Sequence, residues 1–330
     1  MDKSRVIPFK WQMLVFIILL AALFVNPMPV SAQVVSPMQS GHYAPGVINV
    51  RDMGAPPPGF FLIWYNLWFN SDTYYDKDGN EVTSLGGADL NLDISGFATV
   101  PAFFFATETN FLGGASYLAG ISPSYFNASG ALQLDASGTL DTTISESGSV
   151  GGWSDLYVSP LGLAWSFDGF DLSFFYGFYA PVGKYETGAD DNTGMGFWTH
   201  QFQTFGYYYP VPDQSTAIML GLTYEANTEI KDAQVKPGNR FTLEWGVSQY
   251  LSERLEVAVQ GGFNWQVTDD SGNDVFWDPS YHDRKSIVGF SLGYWPFPNR
   301  LYLAGKYAFD FGNAQRFKTN YWMANFIFII

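Results

Sequence analysis

Between Arg254 and Val267 apolar and polar side chains alternate without a break. Leu255, Val257, Val259, Phe263, Trp265 and Val267 fall on one parity, with Gly261 among them. Arg254, Glu256, Gln260, Asn264 and Gln266 fall on the other, with Ala258 and Gly262. Successive side chains of a strand point to opposite faces, so this pattern describes a strand with one apolar and one polar face and fits no helix. Arg240 to Val247 repeats it, with Phe241, Leu243, Trp245 and Val247 against Arg240, Thr242 and Glu244. So does Arg300 to Phe311, with Leu301, Leu303, Tyr307 and Phe309 against Arg300, Lys306 and Asp310.

Turn-forming clusters separate such runs: DKDGN (76–80), TGADDNTG (187–194), KDAQVKPGN (231–239), TDDSGND (268–274) and WPFPN (295–299). Gly, Asn, Asp and Pro supply the backbone angles and chain stops that turns need. Twelve strand segments result, at 60–75, 86–107, 113–135, 148–168, 170–186, 194–209, 215–230, 238–251, 254–268, 285–296, 299–311 and 318–329. The count becomes fourteen if 86–107 and 113–135 each split. A soluble sandwich or propeller would also alternate, but its polar face would carry many Lys and Glu. Here that face is mostly Gly, Ala, Ser, Thr, Asn and Gln. The expected fold is all-β, an antiparallel transmembrane β-barrel with its apolar face toward lipid.

The chain begins with Lys3, Arg5 and Lys10, then an apolar run from Met13 to Val25, then Pro27, Pro29 and Val30-Ser31-Ala32. A basic start, a short apolar stretch and small residues before a cleavage point describe a secretory signal peptide over 1–32. The run is short for a helical span of about 20 residues. Composition agrees with a barrel: 18% aromatic, 34 Gly and 14% charged residues, where soluble domains average about 25% charged. Without residues 1–32 the chain holds 13 basic against 30 acidic residues, which argues against a nucleic-acid partner. There are no cysteines, hence no disulfide framework and no lipid-modified N-terminus.

Residues 33–59 differ in kind. Pro37, Pro45, Gly46, Gly54, Pro56, Pro57, Pro58 and Gly59 break any alternation. Three readings stay open: a periplasmic tail, a rigid linker, or a plug folded into the lumen. The apolar Val47, Ile48 and Val50, beside Tyr43 and stiff Pro56-Pro57-Pro58, favour a segment with something to pack against. As a plug it is expected to occupy the periplasmic half of the lumen, with Tyr43 and Arg51 on inward groups such as Glu244 or Glu256. Residues 60–330 then form the barrel.

Residues 41–80, GHYAPGVINVRDMGAPPPGFFLIWYNLWFNSDTYYDKDGN, resemble the start of the meta-pathway of phenol degradation family of outer-membrane proteins. A Tyr-x-Pro-Gly element, a PPPG element leading into an aromatic first strand, and an Asp-rich loop come in the same order. WSDLYVSPLGLAW (153–165) is similar to a second family element, with Ser154 where Gly would stand. The terminal strand, with Trp322, Ala324, Phe326 and Phe328 on one face, resembles the signal read by the barrel assembly machinery, although Ile329 and Ile330 follow. The resemblance implies a Gram-negative outer-membrane channel, distantly similar to fatty-acid and toluene uptake barrels. Its implied cargo is small hydrophobic or aromatic compounds, and its surroundings are lipid and lipopolysaccharide.

No catalytic constellation, cofactor motif or metal cluster emerges, and the chain reads as no enzyme. His200 in WTHQFQTF shares the parity of Trp198 and Phe202 and reads as an interfacial side chain. DKDGNE fails the calcium-loop order, because Glu81 stands where that loop needs Gly. What remains is the lumen. Parity nominates Glu225, Arg240, Glu244, Arg254, Glu256, Gln260, Lys306 and Asp310 as inward residues along a substrate path. Their mixed signs form either a field across a pore or internal struts. The expected function is passive uptake of small hydrophobic or aromatic compounds. The alternative is a structural or adhesive barrel with a closed lumen.

Overall fold

A computed structural model describes residues 41–108, 112–136 and 142–330. The signal peptide expected at 1–32 and the start of the Pro/Gly-rich segment lie outside them. The described chain is all-β, with strands β1 (Gly59–Tyr75), β2 (Ser84–Leu85), β3 (Ala88–Ala106), β4 (Ser116–Ser122) and β5 (Tyr125–Ala136). There follow β6 (Thr142–Trp153), β7 (Leu156–Phe167), β8 (Phe170–Ala180), β9 (Thr199–Tyr208) and β10 (Thr216–Asn227). The last five are β11 (Arg240–Tyr250), β12 (Leu255–Gln266), β13 (Arg284–Phe297), β14 (Leu301–Ala314) and β15 (Arg316–Ile329).

Neighbouring strands pair antiparallel around the ring, and β1 closes it by pairing β15 on one side and β3 on the other. Pro123 breaks one wall strand into β4 and β5, since proline cannot donate to the ladder. Ser154-Asp155 breaks the next into β6 and β7. Joining each pair, and setting aside the two-residue β2, leaves the twelve wall strands of the sequence reading. Closure carries the ladder around the ring, as a hydrocarbon surround requires, while among the described residues β6 has β5 as its one sheet partner.

The faces follow the pleat. In β12, Glu256, Gln260, Asn264 and Gln266 point inward and are buried, while the odd-numbered residues form the outer wall. Trp64, Trp68, Phe103, Phe290, Leu292 and Trp322 are exposed on the outside. An apolar exterior around a polar interior places this barrel in the outer membrane. The chain enters at Gly59 and leaves at Ile329 on the same end, which also carries the short connections 168–169, 251–254 and 298–300. Short turns mark the periplasmic end, and the long connections 181–198, 228–239 and 267–283 the extracellular one.

Three sequence expectations are adjusted. The strand placed at 170–186 stops at Ala180, because Pro181 ends the ladder. The strand placed at 148–168 starts at Thr142, because small residues there pair with β5 throughout. Arg254 shares the parity of Glu256 but precedes the strand, so it lies exposed in a turn and not in the lumen.

Candidate functional site

Residues 41–55 lie inside the barrel. The segment begins beside Glu225 and Arg240, where β10 ends and β11 begins. It finishes beside Ser173 and Asp171, where β8 begins. It therefore runs from the extracellular end to the periplasmic end, and not through the periplasmic half alone. Turns at 45–46 and 50–53 fold the segment on its way, so it covers this height by a less direct path than an extended chain would.

Each level of the wall holds the segment through a different chemistry. At the top, His42 bridges Asp155 Oδ2 at 2.9 Å and Thr199 Oγ1 at 2.8 Å, with its ring stacked on Tyr179 at 4.4 Å between centroids. The Tyr43 backbone N–H donates to Glu225 at 2.9 Å and its hydroxyl donates to Glu244. Glu244 also accepts the Gly46 N–H at 2.7 Å. At mid-height the Lys306 ammonium donates to the carbonyls of Gly46, Val47 and Ile48, at 2.9, 3.2 and 2.7 Å. The Gln260 amide donates to two of the same carbonyls, at 3.2 and 2.7 Å. These contacts satisfy the backbone of an irregular segment that has no sheet partner of its own.

Lower down, Arg51 is clamped. Its Nε donates to Glu256 at 2.9 Å and to Ser248 at 2.8 Å. Its two terminal nitrogens donate to the carbonyls of Gln214 and Ser215 in the periplasmic turn, at 2.9 and 3.0 Å. The guanidinium lies 4.7 Å from the Tyr250 ring centroid. Asp52 accepts from the Tyr65 hydroxyl at 2.8 Å. Apolar packing fills the gaps: Val47 and Ile48 against Ile287 and Met323, and Val50 against Phe205, Tyr207 and Met219.

Two glycines of the wall make room. A Cβ on Gly246 would stand 2.8 Å from Val50 Cγ2, and one on Gly262 would stand 3.1 Å from Pro45 Cβ. Both sit at inward parity, in register with Glu244 and Gln260. The wall is thus recessed where the segment crosses it.

Of the eight lumen residues named from parity, Glu225, Glu244, Glu256, Gln260 and Lys306 hold the segment by hydrogen bonds. Arg240 and Asp310 are buried inside but serve the wall. Arg240 donates to Asp283, at 2.9 Å for the Nη1 to Oδ2 contact, and Arg316 joins the same carboxylate at 3.3 Å. Asp310 pairs with Lys285 at 3.5 Å. Only Arg254 is outside. Sequence reasoning missed His42, Asp52, Asp155 and Asp283. Each lies in a loop or irregular segment, where no periodic signal assigns a direction.

The extracellular loops cover the upper mouth. Phe197, Ile230, Val235 and Trp277 form a buried apolar cluster from three of them, and Phe197 meets the His42 ring edge-on at 5.4 Å. Asp270 ties this cover together by accepting from Gly238 N–H and the Trp277 indole. The DKDGN loop is a tight turn. Asp76 accepts the backbone N–H groups of Asn80 and Asp78, which hold its carboxyl below the usual range. Among the described residues no group of three or more His, Cys, Asp or Glu gathers to hold a metal. His200 faces outward, stacked on Tyr176 and bonded to its hydroxyl at 3.0 Å.

The solved structure of one outer membrane channel shares this fold. The COG4313 outer membrane channel from Pseudomonas putida F1 superposes with a TM-score of 0.66 at 14% identity, covering 86% of this chain and 100% of that one. The translocator domain of the autotransporter NalP from Neisseria meningitidis gives 0.46 at 14% identity, covering 85% and 92%. A Pseudomonas aeruginosa FadL homologue gives 0.40 at 10% identity, covering 90% and 98%. No curated protein matches the chain in sequence. The family model described as "Putative MetA-pathway of phenol degradation" matches residues 71–326, most of the barrel, and the chain belongs to that family.

Proposed function

We propose that this protein is an outer-membrane channel for passive uptake of small hydrophobic or aromatic compounds, held closed in the state described by its own N-terminal segment. The observation that carries the reading is the clamp on residues 41–55. Glu225, Glu244, Glu256, Lys306 and Gln260 hold a non-sheet element by side-chain hydrogen bonds, and the recessed Gly246 and Gly262 receive it. A wall built only to be rigid could fill its lumen with its own side chains. A separate element joined to β1 through Pro56-Pro57-Pro58 can instead move as a unit while the wall stays intact.

The cargo class rests on the family's association with phenol degradation and on the aromatic interior, where Phe205, Tyr207 and Tyr179 accompany the polar clamp. Nothing in the reading needs an energy source or a covalent step. The filled lumen also favours the second reading, a closed structural or adhesive barrel. Proteoliposome uptake separates the two. Purified protein should admit labelled phenol or toluene faster than protein-free liposomes of the same lipid, while excluding glucose. Equal rates with and without protein would leave the closed barrel standing.

A further inference from the structure

Above the membrane the barrel reverses its polarity. In its lower wall Phe103 and Phe105 of β3 point out. Farther up, the outward positions of β3 become Asp89, Asn91, Asp93 and Ser95, all exposed, with Asp135, Gln133, Ala131 and Ser129 of β5 opposite them. Asp135 there accepts from Asn91, Gln133 and Thr143 across the outer face. The inward positions of the same stretch turn apolar: Leu90, Leu92 and Ile94 on β3 stand opposite Leu134, Leu132 and Gly130 on β5. Leu132 and Leu134 are buried among them. On β6, Val150 and Gly148 continue this inner face. A lipid-facing wall has no use for such a reversal. It fits a sheet extension standing in water outside and enclosing an apolar space inside.

That space is a cavity of about 340 Å³. It is lined by Leu92, Ile94, Leu132 and Val150 on the extension and by Phe317 and Asp190 across from it. We infer that this extracellular vestibule is a binding site for a neutral, one- or two-ring hydrophobic molecule. The inference rests on the channel reading and names where its cargo first binds. Size sets the ring count, since an apolar cavity of roughly 150 Å³ already takes benzene. Charge sets the neutrality. Asp190 lines the site, Glu146 points to the same side of β6, and no Lys or Arg is among the lining residues. The nearby Arg316 is committed to Asp283. An ionised carboxylate would have to leave water for a wall lined mainly by apolar side chains. A protein partner would meet the polar outer face of this sheet, with the apolar face turned away from it.

The test uses the full-length protein in lipid nanodiscs and ¹⁹F NMR titration of 4-fluorobenzyl alcohol and 4-fluorobenzoate, with protein-free nanodiscs as the lipid background. Gly130 faces the cavity, and a Cβ there would meet only Ile94, at 3.7 Å, so Gly130→Phe fills the space. Ile94→Asn keeps its size and makes it polar, and serves if the filled variant folds poorly. The alcohol should bind saturably to wild type, and the benzoate should not. Gly130→Phe should weaken binding by roughly tenfold or more, a shift of about 1.4 kcal/mol, and Ile94→Asn should weaken it less. Unchanged titration in both variants, equal binding of the benzoate, or no saturable binding to wild type would overturn the site. Uptake in proteoliposomes without saturable binding would reject the vestibule and keep the channel. Binding without uptake would do the reverse.

Discussion

Deleting residues 41–53 should leave a folded barrel whose single-channel conductance in planar bilayers is several-fold above that of the intact protein. The wall's ladders do not pass through this segment, because β1 starts at Gly59 and closes on β3 and β15 by itself. Removing one partner of a buried charge usually strands the other at high cost. Here the whole element leaves, so water enters and solvates Glu225, Glu244, Glu256 and Lys306 together. The wall therefore keeps its stability while the lumen opens. The deleted form should run as a heat-modifiable band, since closure is unaltered. It should also admit small hydrophilic probes that the intact protein excludes. An unchanged conductance in a properly inserted deletion would show that the segment does not obstruct the path.

The opposite behaviour is expected of Asp283. Its carboxylate is buried between Arg240 and Arg316, beneath the extracellular loops. Asp283→Ala leaves two guanidinium groups facing each other with no anion between them, and water has little access. Breaking a buried pair this way costs roughly 3–5 kcal/mol. Urea unfolding in detergent should show that loss. Asp191→Ala is the control, because the Lys184–Asp191 pair is exposed, and such pairs contribute about 0–1 kcal/mol. Equal losses for the two would mean that the Arg240 cluster is hydrated and not structural.

The wall was legible in the sequence for a simple physical reason. A strand between lipid and a polar interior must sort its side chains by parity, and β11, β12 and β14 do so residue by residue. The inward assignment of Glu225, Glu244, Glu256, Gln260 and Lys306 followed from that sorting alone. It failed at Arg254, where parity continued one residue past the strand. The path of residues 41–55 was only half legible. Its apolar residues and prolines marked it as unlike a loose tail, and Tyr43 and Arg51 do reach Glu244 and Glu256. Its reach to Asp155 and Thr199 was not, because a chain without periodicity carries no measure of depth. Gly246 and Gly262 held an overlooked clue: glycine at inward parity, beside charged residues, marks a wall recessed for a second element. The reversed polarity of β3 and β5 was also written in the sequence, since Asp89, Asn91 and Asp93 alternate with Leu90, Leu92 and Ile94. Its meaning depended on knowing where the membrane ended.

On the channel reading, conduction requires residues 41–55 to leave the lumen. The chain has no cysteine, so a single engineered pair would be the only disulfide present. Val50 and Gly246 are in direct contact, with Val50 Cγ2 at 2.8 Å from where a Gly246 Cβ would stand. That proximity suits a disulfide, whose Cβ atoms lie about 3.5–4.5 Å apart. Single-channel recording of the V50C/G246C double variant, in one bilayer, before and after reduction with dithiothreitol, reads that movement directly. The oxidised barrel should be silent, with openings that appear on reduction and vanish on reoxidation. Openings of equal size and frequency in both states would contradict it.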